Sequence, residues 1–162
     1  MNANETIFFL AFASNLDSAR HILCAIQTLA KLGTVQCSNV YEIPCRDGVG
    51  ADYLNCACTF KSEMSLNDIQ KLLQEMEQQA GRIRPSHQIS LDIDLIAWSI
   101  QGSDLIFNTK KIPFALDVKI PMRELVNHIE FDHASVHYPK VYLAGLTSFQ
   151  YGLSGIEKRI YA

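Results

Sequence analysis

The sequence contains no long apolar run and no large excess of charge of either sign. No run approaches the ~20 apolar residues that a membrane-spanning helix needs, so we expect no membrane partner. The formal net charge of −3 argues against a broad nucleic-acid-binding surface, which would be strongly basic. The early apolar run at 7–13 lacks a preceding basic segment, so we do not expect a signal peptide. No repeat, low-complexity stretch or linker divides the chain, which predicts a single domain over 1–162.

The cysteines form no recognisable metal or disulfide pattern. There are five, an odd number, and Cys56 and Cys58 make a C-x-C motif without a second pair, which is a poor zinc signal. Four of the five lie in apolar or strand-like segments. We therefore expect reduced, structural thiols and a cytoplasmic location.

Hydrophobic periodicity predicts an α+β domain. A continuous apolar run indicates a central strand, and two segments with apolar residues at helical spacing indicate amphipathic helices that end at Gly33 and Gly81. Asn15, Asp17 and Ser18 could each cap the first helix. In chain order, the predicted elements are strand 6–13, a helix, strand 34–43, strand 53–60, a helix from Ser65, and strand 90–98. This βαββαβ order is that of a ferredoxin-like core with an antiparallel sheet.

Residues 99–162 are predicted to form a C-terminal extension of this core. Gly102 predicts a turn before another strand, residues 121–130 favour a short helix, and residues 140–146 favour a last strand-like piece. The extension contains no linker composition, so we expect it to pack on the same domain.

The fold alone does not assign a function, because ferredoxin-like domains serve many unrelated ones. An RNA-binding module of this topology would expose aromatic side chains on its central strands. Phe8, Phe9 and Phe12 lie on such a strand, but core packing explains them more simply. With the negative net charge, we expect no nucleic-acid partner.

The stretch "SLDIDLIAW" at 90–98 carries two carboxylates within an apolar strand. Strand alternation places Asp92 and Asp94 on one face, with Cα atoms about 6.5–7 Å apart, where their charges repel. They could simply be solvated on an outward face. A divalent cation would remove the repulsion, because two carboxylates supply the oxygen ligands that Mg²⁺ prefers.

Several segments together resemble one family. "FASNLDS", "SNVYEIPCRDGVGADYLNCAC", "QEMEQQAGRIR" and "SLDIDLI" occur in order over residues 6–98. This combination resembles the hydroxymethyldihydropterin pyrophosphokinases of folate biosynthesis. The resemblance implies transfer of pyrophosphate from ATP to the hydroxymethyl group of 6-hydroxymethyl-7,8-dihydropterin, which releases AMP. It also implies two Mg²⁺ ions held by Asp92 and Asp94.

The resemblance carries further roles over to individual positions. Arg82 and Arg84 match arginines that contact the phosphates, a task suited to their forked guanidinium groups. The implied pterin-binding residues are Pro44, Tyr53 and Asn55. The implied nucleotide-binding residues are Gln74, Glu77, Leu95 and Lys111.

The chain also departs from the family pattern. The stretch "PSHQIS" is shorter than the family's loop and lacks its Trp and Arg, Ile43 stands where Thr is usual, and Phe114 stands where His is usual. A further expected arginine falls at Lys119 or Ile120. The leading interpretation is a pyrophosphokinase that acts on small molecules as a monomer or weak homo-oligomer. The alternative is a weak or inactive paralogue that binds a pterin or nucleotide as a regulatory or interaction protein.

Overall fold

The structure is a computed structural model that describes residues 4–150. The single domain predicted over 1–162 therefore includes residues 1–3 and 151–162, which lie outside the described part. In chain order the elements are β1 (Thr6–Ser14), α1 (Ser18–Ala30), β2 (Thr34–Cys37), β3 (Val40–Ile43), β4 (Tyr53–Ser62), α2 (Leu66–Gln79), β5 (Asp92–Ile100), β6 (Ile106–Phe107), α3 (Leu116–Arg123) and β7 (Lys140–Val141). Short 3₁₀ turns lie at Thr109–Lys111, Ile129–Phe131 and Ala144–Phe149.

Within residues 4–150 the strands form one seven-stranded antiparallel sheet. Its order is β6-β5-β1-β4-β3-β7, and β2 also pairs with β4. The apolar strand β1 lies between β4 and β5, as its sequence predicts for a central strand. The prediction of an α+β, ferredoxin-like arrangement is confirmed. In the same part of the chain, no helix combines the length and apolar character needed to cross a membrane.

One face of the sheet is covered by α1 and α2. Phe8, Leu10 and Phe12 of β1 point to this face and pack with the apolar stripe of each helix. The Ser65 side chain caps α2 by accepting a hydrogen bond from the Asp68 N–H at 3.1 Å. Cys37, Cys56 and Cys58 are buried in the same cluster. Burial raises the pKa of the Cys56 and Cys58 thiols well above the ordinary value, in agreement with structural, unreactive thiols.

The opposite face is covered by α3 and the segments around it. Phe114, Met122 and Phe131 are buried there against side chains of β1, β4 and β5. A register shift in the pairing of β1 with β5 accompanies the burial of Ile96 and Ala97 in this same cluster. The described part of the predicted extension, residues 99–150, therefore contributes to the core of the domain.

Three local predictions need correction. The expected strand 34–43 is two strands, β2 and β3. Strand pairing is interrupted at Ser38, where the side-chain hydroxyl, in place of a backbone carbonyl, accepts a hydrogen bond from the Ala57 N–H at 2.9 Å. The expected helix at 121–130 instead spans Leu116–Arg123. It contains Pro121, although proline is usually disfavoured inside a helix. The expected strand at 140–146 is limited to Lys140–Val141.

The predicted capping of α1 by a side chain is also wrong. Asp17 occupies the N-cap position in the left-handed region at φ 50°, and its carboxylate makes no cap hydrogen bond. The Asp17 carboxylate instead binds Arg20 at 2.6 Å. The Ser18 hydroxyl donates to the Ser14 carbonyl at 2.7 Å, and the Asn15 amide is used elsewhere.

Candidate active site

A row of side chains crosses the second face of the sheet at one end. Asp92 of β5 is paired with Ala13 of β1, Ala13 with Asn55 of β4, and Asn55 with Tyr41 of β3. In the next row, Asp94 is paired with Ala11. Because side chains in register on neighbouring strands share a face, both aspartates lie on the same side as Asn55. The small alanines between them leave room above the sheet.

This room forms a cleft of about 220 Å³. The cleft brings two of the predicted site residues together, one expected to bind metal and one expected to bind pterin. It also brings in residues of the loop 44–52 and the start of α3. Its lining consists of Ala13, Cys45, Arg46, Asp47, Tyr53, Asp92 and Asp117.

The two carboxylates of β5 are in an environment that disfavours their charge. Burial, followed by the neighbouring Glu77 carboxylate, raises the pKa of Asp92 above its ordinary value. Burial, followed by Asp92, raises the pKa of Asp94. A bound cation acts in the opposite direction, because it favours the charged form. The donor set therefore fits a hard divalent cation.

Each carboxylate has one basic partner that approaches from outside the pair. The Arg82 Nη1 atom lies 3.5 Å from an Asp92 oxygen, and the Lys111 Nζ atom lies 3.0 Å from an Asp94 oxygen. Lys111 ends the turn Thr109–Lys111, which follows the edge strand β6. Two residues predicted to contact phosphate thus lie beside the two predicted metal ligands.

Glu77 organises the nucleotide side of the site. One of its oxygens accepts a hydrogen bond from Arg84 at 3.0 Å, and the other accepts the Ile93 N–H of β5 at 2.9 Å. The Arg82 guanidinium donates to the Leu91 carbonyl at 3.0 Å. The Glu77 carboxylate is therefore occupied in positioning Arg84 and β5.

A second, more polar cavity of about 500 Å³ adjoins this network. It contains every predicted nucleotide-side residue of α2 and the two arginines that follow that helix. Its lining consists of Gln74, Glu77, Gln78, Arg82 and Arg84. The cavity thus places exposed amides of α2 beside the two guanidinium groups.

Tyr53 lines the cleft, and Asn55 lies two residues further along β4 on the same face of the sheet. Asn55 is 4% exposed, and its Oδ1 atom has no hydrogen-bond partner. A buried acceptor without a partner is unfavourable, and a ligand N–H would satisfy it. Burial raises the pKa of the Tyr53 phenol, so this ring presents a neutral, half-buried surface.

Among the described residues, no group of three or more His, Cys, Asp or Glu side chains is placed to enclose a metal ion. Two carboxylates alone leave most of the coordination sphere of Mg²⁺ open. This arrangement is typical of sites in which substrate phosphates and water complete the coordination.

Comparison with known proteins decides the family. A family model described as 7,8-dihydro-6-hydroxymethylpterin-pyrophosphokinase matches residues 9–134. The chain belongs to this pyrophosphokinase family. It is also 31% identical over 150 residues to the Folic acid synthesis protein FOL1 of Dictyostelium discoideum, an alignment that covers 84% of this chain and 22% of that protein. The chain therefore spans about a fifth of the length of this relative.

Two further predicted site residues, Leu95 and Pro44, lie outside the cleft lining. Leu95 is buried and its carbonyl accepts a hydrogen bond from the Asn108 side chain at 2.8 Å. Pro44 directly follows β3 and is exposed at the start of the loop 44–52. Both are near the site, but neither lines the cleft beside the carboxylates.

The three residues at which the family pattern predicts an arginine or a histidine, namely Lys119 or Ile120 and Phe114, do not line the cleft. The Lys119 Nζ atom donates to the Asp132 carbonyl at 3.3 Å, and Ile120 is buried in a small cluster with Tyr41. Phe114, at the position of a family histidine, is 5% exposed and stacks on Phe131 with ring centroids 5.3 Å apart. Replacing Phe114 by His would therefore place an imidazole in the apolar cluster rather than a donor in the cleft.

Three further residues of the site were missed from the sequence. Arg46 binds both carboxylate oxygens of Asp117, at 2.6 and 2.9 Å. This hydrogen bond raises the pKa of Arg46, partial burial opposes the rise, and the Asp94 and Asp92 carboxylates add to it. The Asn15 side chain joins the loop 44–52 to the loop before β5. A lone arginine in a glycine-rich loop was the available signal for Arg46.

Proposed function

We propose that the protein transfers the pyrophosphoryl group of ATP to the hydroxymethyl group of 6-hydroxymethyl-7,8-dihydropterin. One observation carries the proposal: Asp92 and Asp94 share a sheet face with Asn55, and the buried Oδ1 atom of Asn55 has no partner. A site for a metal–phosphate group thus adjoins a site for a flat, hydrogen-bonding ring. Family membership supports the same reaction.

The pterin would bind between Tyr53 and the floor of the cleft. Its ring N–H groups suit the free acceptor of Asn55, and the ring face suits the neutral Tyr53 phenol. This orientation directs the hydroxymethyl group toward Asp92, which lines the same cleft.

The nucleotide would bind on the side of α2. Arg82 and Arg84 line the larger cavity and can bind phosphate oxygens, and Gln74, which lines the same cavity, would contact the nucleoside. Asp92 and Asp94 would hold Mg²⁺, two ions by family resemblance, which neutralises and orients the phosphates when bound. Lys111, beside Asp94, adds a further positive charge.

In this arrangement the reaction needs positioning more than a protein nucleophile. The pterin hydroxyl attacks the β-phosphorus, the bond from that phosphorus to the α-phosphate oxygen breaks, and AMP and the hydroxyl proton leave. The contribution of the residues is to hold the two substrates in line and to stabilise the charge of the phosphates.

Measurement of AMP release from ATP tests the proposal. Purified protein with Mg²⁺ and the pterin alcohol should form AMP and the pyrophosphorylated pterin in equal amounts. Omission of the pterin should stop AMP formation, since hydrolysis by water is not the proposed reaction. Tight binding of either ligand without AMP formation would instead identify a non-catalytic binding protein.

A further inference from the structure

Arg46 is a cation in the cleft that none of the assigned roles explains. It lies in the loop 44–52 between β3 and β4, and its guanidinium forms a bidentate pair with Asp117 in the first turn of α3. The Arg46 side chain is 68% exposed, whereas the Asp117 side chain is 15% exposed. The carboxylate is thus fixed against the protein, and the arginine rests on it from the solvent side.

The other cations of the site are already engaged by residues with assigned roles. Arg82 contacts Asp92 and the Leu91 carbonyl, and Lys111 contacts Asp94. Arg84 binds Glu77, which also holds β5. The partner of Arg46 differs from these, because Asp117 belongs neither to the proposed metal ligands nor to the Glu77 network.

The position of Arg46 is central with respect to the two proposed substrates. It lines the same cleft as Tyr53 on the pterin side and Asp92 on the metal side. A guanidinium matches phosphate oxygens with the same fork that it uses for a carboxylate, and a triphosphate carries more negative charge than one carboxylate.

We propose that Arg46 is a catalytic residue that moves from Asp117 to the phosphates of bound ATP and there stabilises the group being transferred. Asp117 is its resting partner, which holds the side chain beside the cleft until nucleotide arrives. The inference rests on the proposed function. It explains how positive charge reaches the reacting phosphates although Lys119 and Phe114 lie away from the cleft.

Two variants of Arg46 test the role of the arginine. Calorimetric titration with Mg²⁺ and a non-hydrolysable ATP analogue should show about tenfold weaker binding for Arg46→Gln, because a charge-assisted phosphate contact is lost. Arg46→Lys should be intermediate, since it keeps the charge and loses the fork. In the AMP-release assay, kcat should fall with Arg46→Gln, while the affinity for the pterin should stay at the wild-type value.

Asp117→Asn gives the decisive comparison. Loss of the competing carboxylate should tighten binding of the nucleotide analogue by up to about fivefold, the scale of an exposed ion pair. If the Arg46–Asp117 ion pair only fastened the loop 44–52 to α3, both Arg46→Gln and Asp117→Asn would instead weaken binding of the nucleotide analogue. Arg20→Gln is the matched control, because Arg20 also forms an exposed ion pair, with Asp17 at 2.6 Å, outside the cleft.

The outcomes separate this inference from the proposed function. If wild type binds the analogue but forms no AMP with pterin, the proposed function fails and the catalytic role of Arg46 fails with it, while the titrations still decide whether Arg46 binds the phosphates. If wild type forms AMP and Arg46→Gln matches Arg20→Gln in both assays, the inference is overturned and the function stands. Equal losses in Arg46→Gln and Asp117→Asn also overturn it, as does a wild type that binds no Mg²⁺–nucleotide.

Discussion

At the scale of single residues, Asp92 and Asp94 share a face of β5, with side chains that are 37% and 28% exposed. Arg82 and Lys111 offset part of the repulsion in the free protein. Asp92→Asn should therefore change the free energy of unfolding of the free protein by less than about 1 kcal/mol, because lost repulsion offsets the lost ion pair. The same change should abolish the rise in melting temperature that Mg²⁺ and ATP together produce.

Thermal unfolding with and without Mg²⁺–ATP measures both effects of Asp92→Asn. Asp104→Asn is the matched control, since Asp104 is exposed and lies outside the cleft. Chelation of the metal should abolish the rise in the melting temperature of wild type, as Asp92→Asn does. If Mg²⁺ and ATP raised the melting temperature of Asp92→Asn as much as that of wild type, the metal would bind elsewhere.

Asn55 is a second case at the residue scale, because its expected contribution to pterin affinity depends on one side-chain amide. Asn55→Asp keeps the shape, replaces the amide donor by an acceptor and adds a negative charge in the row that contains Asp92. Pterin affinity should fall about tenfold or more, because an acceptor on the pterin edge would face a carboxylate oxygen in place of the Asn55 amide N–H donor. Titration with a pterin measures this, with the exposed Asn67→Asp as the matched control. Unchanged affinity would mean that the pterin site lies elsewhere.

At the scale of elements, Asn15 ties the loop 44–52, which lines the cleft, to the loop before β5. Its Nδ2 atom donates to the His87 carbonyl at 2.8 Å and approaches the Ala51 carbonyl at 3.4 Å. Its Oδ1 atom accepts the Ile89 N–H at 2.6 Å. One side chain at the end of β1 thus fixes the shortened loop before β5 and the loop before β4. Gly50 fits beside it, because a Cβ there would lie 3.1 Å from the Asn15 amide.

Removal of this side chain should loosen both loops. Asn15→Ala leaves the Ile89 N–H unsatisfied, so the free energy of unfolding should fall by about 1–3 kcal/mol. Hydrogen exchange should accelerate at 84–90 and 48–52 and remain unchanged in the centre of β1. Asn67→Ala serves as the control for loss of an amide. Exchange that stays at the wild-type rate in both loops would refute the role given to Asn15.

The elements with strong local patterns were predictable from the sequence, and those that depend on distant partners were not. The periodicity of α1 and α2 and the apolar run of β1 lie within each segment. The break at Ser38 depends on β4, and α3 forms despite Pro121 because its apolar side chains cover the sheet. The aspartates and Asn55 were visible as motifs. Arg46 was not, because its partner lies 71 residues further along the chain.

At the scale of the whole molecule, the sheet is buried on both faces. The βαββαβ core covers one face with α1 and α2, and residues after β5 cover the other. Phe114, Met122 and Phe131 are the large side chains of this second cover. Burial of each contributes about 1.5–3 kcal/mol. Because the net stability of a typical domain is only ~5–15 kcal/mol, loss of this burial is large enough to unfold the domain.

A chain that ends after Asp104 should therefore lack a cooperative thermal transition, although it keeps the whole βαββαβ core. Phe9, Ala57 and Ile96 would be exposed to water on the uncovered face. Circular dichroism melting, together with binding of a hydrophobic dye, measures this. In the full chain, Phe131→Ala should lower the free energy of unfolding by about 3–5 kcal/mol yet preserve a cooperative melt. If the shortened chain unfolded cooperatively near the wild-type temperature, the residues after β5 would not be needed for the stability of the core.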